Sequence, residues 1–413
     1  MFLTQFLGAF NDNVFKNALV IFITYRVINS IGMNSQMLVT IAAGIFILPF
    51  FLFSATAGQL ADRYEKSRLI IIIKLAEIIL MLLASISFYI KNVPMLLLVL
   101  FLLGVQATFF GPLKYSILPN LLNKGELLAG NGLIEAATFI AILLGTILGG
   151  VLILYPFGQY FVSFVICLIS ILGFLSSLYI PRTSTKNLDL VINYNFFIET
   201  IRLIQYSKTR PYIFLCIIGI SWFWFMGAIY LAEFAVFAKD ILHADQYVVT
   251  LFIAIFSVGI AIGSLFCNKL LNGVVDPKYV LLALFGISIF SVDLYFSSHQ
   301  VSMISFTNLM NPGYFLSSFN GCRIAIDLLM IATCGGFYTV PLYALLQQKS
   351  EESHRARVIA SNNIINSMFM VFASIITTII LMMHFTVLDI FLLVGILNLF
   401  FAVYIRKLSS FFL

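Results

Sequence analysis

What this 413-residue chain has little of decides its class. Charge is scarce: 10% of residues are Asp, Glu, Lys or Arg, against 62% hydrophobic, and the mean hydropathy is +1.07. A soluble domain carries about a quarter of its residues charged, so that class is excluded. Long polar stretches are lacking too. The longest, from Pro181 to about Arg210, leaves no room for a soluble catalytic domain. The five cysteines (167, 216, 267, 322 and 334) fall within or at the edges of apolar runs, without paired spacing. They read as small apolar fillers and argue against a disulfide framework. The sequence has no G-x-S-x-G elbow, no P-loop and no metal-spaced Cys/His group. It therefore suggests neither a metal nor another cofactor. The net charge of +6 is spread thinly over short segments, the wrong pattern for a nucleic-acid surface.

What is present is about a dozen apolar runs, most long enough to cross a bilayer. A helix needs about 20 apolar residues for that crossing. Lipid offers no hydrogen bonds, so each run must be helical to satisfy its own backbone. The spans are read at approximately 3–28, 37–61, 69–90, 94–118, 129–154, 157–180, 211–238, 247–271, 279–297, 322–346, 358–383 and 388–405. The N-terminal run is not expected to be a signal peptide, because Asn11, Asp12, Asn13, Lys16 and Asn17 break it. An even span count puts both termini on one side. One set of alternating loops holds fifteen cations, among them Arg63, Lys66, Arg68, Lys124, Lys186, Lys349 and Arg406; the other holds only Lys91 and Lys239. Cationic loops resist translocation, so the first set, both termini and the central loop are expected to be cytoplasmic.

The two halves match weakly but in order. Gly58-Gln59-Leu60 answers Gly263-Ser264-Leu265, and Pro112-Leu113 answers Pro341-Leu342. Residues 129–133 (AGNGL) answer 360–364 (ASNNI). An uncharged stretch from Ser298 to Gly321 absorbs the change in offset. The expected organisation is an N-terminal six-helix half (1–180), a cytoplasmic loop (181–210) and a C-terminal six-helix half (211–413). Such duplicated halves usually hold their substrate between them near the midplane.

Residues 58–68 (GQLADRYEKSR) resemble the loop 2–3 signature of the major facilitator superfamily. Glu65 stands at a usual glycine and Ser67 at a usual basic residue. The resemblance marks Gly58, Asp62, Arg63 and Arg68 as gating residues at the cytoplasmic side. More specific runs resemble the bacterial lysophospholipid transporter family. These are 5–13 (QFLGAFNDN), 111–118 (GPLKYSIL), 131–136 (NGLIEA), 220–225 (ISWFWF) and 355–360 (RARVIA). They are most similar to members fused to an acyltransferase and a ligase, domains absent from this sequence. The resemblance implies an all-α membrane protein with twelve transmembrane helices in the major facilitator fold. It further implies a flippase in the bacterial inner membrane, moving lysophosphatidylethanolamine-type lipids from outer to inner leaflet for reacylation. A separate cytoplasmic-side acyltransferase is then the expected functional partner, and the transporter itself is expected to be a monomer and no enzyme.

Ionisable residues inside spans are costly and seldom face lipid. In the first span, Gln5, Asp12 and Lys16 share one helical face. Asp12 and Lys16 form either a structural pair or the wall of a headgroup cavity. Lys114 in the fourth span and Glu135 in the fifth form either a bridge or part of the same site. Asp12, Asn13, Lys114, Asn131 and Glu135 are the expected substrate-binding set, with Glu233 added from the seventh span. Trp222, Met226, Tyr230 and Glu233 share one stripe that reads either as packing or as an acyl-chain wall. Arg323 and Asp327, at i and i+4, read as a structural pair. His384 and Asp389 fit the H-x4-D acyltransferase motif, but at an outward-facing turn far from cytoplasmic acyl donors, so the match is read as coincidence. The rivals to lysolipid transport are a major facilitator carrier of a small water-soluble solute or drug, and a membrane-embedded acyltransferase.

Overall fold

A computed structural model of the chain describes residues 1–24, 35–183, 189–273, 278–302 and 309–407. Lys186 and part of the Ser298–Gly321 stretch lie outside the described residues. Within them the protein is helical: α1 (Phe2–Phe22), α2 (Ser35–Arg63), α3 (Lys66–Tyr89), α4 (Val93–Ser116), α5 (Leu118–Leu121), α6 (Leu127–Leu154), α7 (Gly158–Ser177) and α8 (Phe196–Lys208). Then follow α9 (Pro211–Val236) with a π-helical extension (Phe237–Ile241), α10 (Gln246–Leu271), α11 (Lys278–Ser302), α12 (Pro312–Ser317), α13 (Phe319–Lys349), α14 (Arg355–Met382) and α15 (Val387–Ile405). Eleven of these are long and apolar enough to cross a membrane. Among the described residues α1 is not counted with them, because its Asn11–Asn17 stretch is too polar.

Helix ends follow the polar breaks. Asn92 accepts from Met95 N at 2.9 Å to start α4, with Pro94 in the first turn. Asp245 caps α10 through Tyr247 N and Val248 N. Thr386 and Asp389 form a reciprocal capping box at the start of α15. Asp389, half of the apparent acyltransferase motif, is thus used as a helix cap. At the other end of α10 the chain leaves through Asn272 (φ 50°) and Gly273 (φ 74°).

The helices are apolar outward and more polar inward, as lipid requires. On α3, Ile72, Ile79, Leu82 and Ile86 are exposed while Lys74 and Glu77 are buried. Two compact units result. One comprises residues 1–124, 140–209 and 347–367; the other comprises 125–139, 210–346 and 368–413. In the first unit α2 packs along α4 and α3 along α7, with α1 beside α7. Its core gathers Phe15, Leu19, Phe22, Met81, Phe88 and Leu103. Helix α1 also lies on the small-residue face of α6. A Cβ at Gly149 would sit 2.3 Å from the Val14 carbonyl oxygen, and one at Gly145 2.5 Å from that of Phe10. In the second unit α11 packs along α15. There Trp222 Nε1 donates to Asn398 Oδ1 (2.9 Å), and Tyr230 and Ser291 share a hydrogen bond (2.7 Å).

Candidate functional site

The first unit buries a connected group of charged and amide side chains. Lys74 and Glu77 lie one turn apart on α3, each 1% exposed, with Nζ to Oε2 at 2.6 Å. Neither charge alone tolerates burial in hydrocarbon, so the pair is made neutral and then saturated. Asn11 of α1 donates to Glu77 Oε1 (3.0 Å), and Gln106 of α4 donates to Oε2 (3.1 Å). The Lys74 ammonium also faces the Phe110 ring, 4.8 Å from its centroid. It approaches Gly8 so closely that a Cβ there would lie 2.3 Å from Nζ. Glycine at position 8 is therefore what admits the lysine between α1 and α3.

Asp12 stands beside this cluster on α1. It follows Asn11, the residue that donates to Glu77, and precedes Lys16 by about one turn. Its Oδ1 is buried with no hydrogen-bond partner among the described residues, and so is Oδ1 of Asn11. A buried acceptor left unpaired costs roughly 1–3 kcal/mol, which a donor from a ligand would recover. Lys16 sits 4.3 Å from the Phe46 ring centroid, and Lys114 4.7 Å from that of Tyr115. Asn13 donates to the Ala9 carbonyl of its own helix (2.6 Å). Of the expected headgroup residues, Asp12, Asn13 and Lys114 thus belong to the first unit. Asn131 and Glu135 belong to the second, where Asn131 donates to the Leu127 carbonyl (2.8 Å). Lys74, Glu77, Asn11 and Gln106 were not in the expected set; the partnering among three helices has no signature in sequence.

Glu233 is also in the second unit. Its Oε2 is buried with no hydrogen-bond partner among the described residues. The stripe it shares is packing: Met226 and Tyr230 are core residues, and Trp222 stacks on Phe401 at 4.7 Å. The reading of Arg323 and Asp327 as a pair needs correction. Arg323 forms a two-pronged contact with Asp293 of α11, with Nε at 2.9 Å from Oδ2. Asp327 instead accepts from Ser297 Oγ (3.1 Å). A guanidinium fork fits a carboxylate on a facing helix better than one a turn along its own.

A second arrangement lies at the Arg63 end of α2. The Asp62 side chain is fully buried and accepts from Ala356 N (2.9 Å), Arg357 N (3.2 Å) and Arg357 Nε (2.9 Å). Asp62 therefore caps α14, a helix nearly three hundred residues away, and neutralises its first turn. Arg357 is held in place by the Ser353 carbonyl (2.8 Å). Gly58, one turn before Asp62, makes the approach possible. A Cβ there would lie 2.7 Å from the Ala360 Cβ and 3.0 Å from the Arg357 Cα. Asn120 adds a hydrogen bond to Glu352 (3.0 Å). Arg63 lies over the Tyr64 ring, and Arg68 contributes its backbone N–H to Glu65.

Glu65, the residue standing at the usual glycine, caps α3 through Ser67 N (3.0 Å) and Arg68 N (2.8 Å). It also accepts from Thr183 N at 2.8 Å, tying down the start of the central loop. Burial pushes its carboxyl up, but the hydrogen bonds from Thr183, Arg68 and Ser67 outweigh this and hold it at about 2. The turn is thus made by side-chain capping in place of backbone freedom.

Three comparisons place these features. The family profile described as Major Facilitator Superfamily matches residues 1–328. The chain is 28% identical over 356 residues to "Lysophospholipid transporter LplT" of Escherichia coli (strain SE11), covering 84% of this chain and 79% of that one. It is 27% identical over 359 residues to the protein of the same name from Yersinia pestis (strain Pestoides F), covering 84% and 78%. Among solved structures, it is similar to the transporter FucP in the outward conformation (TM-score 0.74, 10% identity, covering 98% of each chain). It is also similar to a bacterial homologue of the iron transporter ferroportin (TM-score 0.70, 14% identity, covering 99% and 100%). At these identities the structures speak for the fold alone.

Proposed function

Taking as premise that this chain belongs to the Major Facilitator Superfamily and is a multi-pass membrane transporter, we propose that it moves lysophospholipids of the phosphatidylethanolamine type from the outer to the inner leaflet of a bacterial inner membrane. The observation that carries this reading is the buried Oδ1 of Asp12, which has no hydrogen-bond partner among the described residues and stands next to Asn11 of the Lys74–Glu77 cluster. A zwitterionic headgroup brings an ammonium, which supplies the missing donor, and a phosphate, which suits a compact lysine charge. Lys16 and Lys114 are the phosphate partners in this reading, a lysine ammonium being a compact point charge. The acyl tail gains nothing by leaving lipid and stays in it during transfer.

In this reading α1 is the twelfth span, and both termini are cytoplasmic. Two six-helix halves rock about the substrate. The match of contacts supports such halves: Gly58 meets Ala360 between the second and eleventh spans, and Gly132 meets Ser264 between the eighth and fifth. The two span pairs, second with eleventh and eighth with fifth, correspond under the sequence duplication. Gly58 and Asp62 are the cytoplasmic latch on α14, with Arg63 and Arg68 as the further gating residues. Asn131, Glu135 and Glu233 offer further polar contacts in the second unit. A monomer suffices, and a separate acyltransferase consumes the product. The test is uptake by proteoliposomes of labelled lysophosphatidylethanolamine against sugars, amino acids and cationic drugs. Saturable uptake of the lysolipid alone is expected; saturable uptake of a water-soluble solute with none of lysolipid refutes the reading.

A further inference from the structure

Helix α8, in the central segment, is amphipathic the wrong way round for a helix in water. Its face toward the protein holds Glu199, Thr200 and Ser207 beside Leu203, all buried. Its outward face presents Phe197 (61% exposed), Ile198 (45%) and Ile201 (55%), preceded by Tyr194 (78%). These recur every three to four residues along one side. Cations flank the apolar stripe: Arg202, 64% exposed although one guanidinium nitrogen lies 3.6 Å from the buried Glu199 carboxylate, and the exposed Lys208.

The depth of α8 is fixed by its contacts. Gln59 of α2 and Asn193 exchange two hydrogen bonds (3.1 and 2.8 Å). Leu203 is buried with Ala55 of α2 and with Ala360 and Ile364 of α14, and Ser207 Oγ donates to Ser361 Oγ (3.1 Å). Gln59 and Ala55 precede Arg63 by four and eight residues, or about 6 and 12 Å along the helix. The helix therefore does not hang below the spans. With Arg63 taken as the membrane surface, that offset matches the seat of an interfacial helix, about 5–10 Å into the headgroup and acyl boundary.

We infer that α8 is an in-plane membrane helix. Tyr194, Phe197, Ile198 and Ile201 enter the acyl boundary of the leaflet at the Arg63 end of the spans, while Arg202 and Lys208 bind phosphates of anionic lipids. The charge favours this occupant: the apolar stripe is bordered by cations, as an anionic lipid surface requires. The inference does not rest on the substrate's identity.

The experiment uses the whole protein with its five native cysteines replaced by serine, and Ile201→Cys carrying an environment-sensitive fluorophore. A second label at Lys124→Cys, in an exposed turn, serves as the aqueous control. Both are reconstituted in vesicles of mixed phosphatidylethanolamine and phosphatidylglycerol, after confirming the wild-type melting temperature. Doxyl groups near the headgroup end of the acyl chain are expected to quench the label at 201 several-fold more than iodide does, with the reverse at 124. Doxyl-phosphatidylglycerol is expected to quench more than doxyl-phosphatidylcholine, and Arg202→Gln with Lys208→Gln to abolish that difference. Quenching at 201 by iodide alone places the helix in water and overturns the inference. Quenching by neither means that protein covers it, a second copy or another partner, and overturns it equally. Equal quenching by both lipids in the wild type overturns the assignment of the phosphates.

Discussion

Asp62 shows what a single residue does here and how much of that a sequence reveals. Its place in the loop signature marks it as important, and a carboxylate at that turn needs a base or a helix end. Both are supplied by one residue, Arg357, through its backbone N–H and its guanidinium. No local pattern identifies a partner so distant in the chain. Asp62→Asn keeps an acceptor oxygen but strands the half-buried Arg357 cation. We expect a loss of about 1–3 kcal/mol, read as a lower melting temperature, together with slower transport. Adding Arg357→Gln removes the stranded charge and should restore part of the melting temperature but not the rate. A wild-type rate in both variants would leave the contact a purely topological one. Glu65 gives a pH test. Its carboxyl is held at about 2 in the folded protein against an ordinary value of 4.5, so it stabilises the fold above about pH 4.5. That contribution is lost as pH falls from 4.5 toward 2, because the unfolded chain takes up the proton first. Melting temperature against pH should therefore fall less steeply across this window in Glu65→Gln than in the wild type.

At the scale of elements, hydropathy located the spans to within a few residues, since a run that must cross lipid is marked along its whole length. The expected 129–154 is Leu127–Leu154, and 388–405 is Val387–Ile405. What hydropathy missed are helices with other jobs. Helix α8 carries Glu199, Arg202 and Lys208 and reads as a polar loop; its apolar residues become a face only once the backbone is helical. The α1–α3–α4 cluster is similar. Lys74 and Glu77 are visible as costly residues, but Asn11 and Gln106 become their partners only through packing. Glycines were legible as punctuation and not as contact points. Gly58→Leu should push α2 from α14 and cost about 1–3 kcal/mol by overpacking, because the opposing atoms, the Ala360 Cβ and the backbone of Ala356 and Arg357, cannot turn aside. Thermal melting in detergent checks this; a melting temperature equal to wild type would mean that the two helices do not meet at Gly58.

At the scale of the molecule, hydropathy was enough to define a multi-pass membrane protein, and the motif runs to define its superfamily. The proposed substrate rests on resemblance. Composition cannot distinguish a lysolipid from a sugar, since either needs a polar site inside an apolar shell. Asp12, whose Oδ1 is buried with no hydrogen-bond partner among the described residues, is the residue on which the proposed transport depends most. The most direct test is a paired measurement on wild type and Asp12→Asn: initial rate of lysophosphatidylethanolamine uptake into proteoliposomes, with the melting temperature of each protein. Uptake near background is expected in Asp12→Asn, with a melting temperature close to wild type. Wild-type uptake in the variant, or a large fall in its melting temperature as the sole cause of lost uptake, would contradict it.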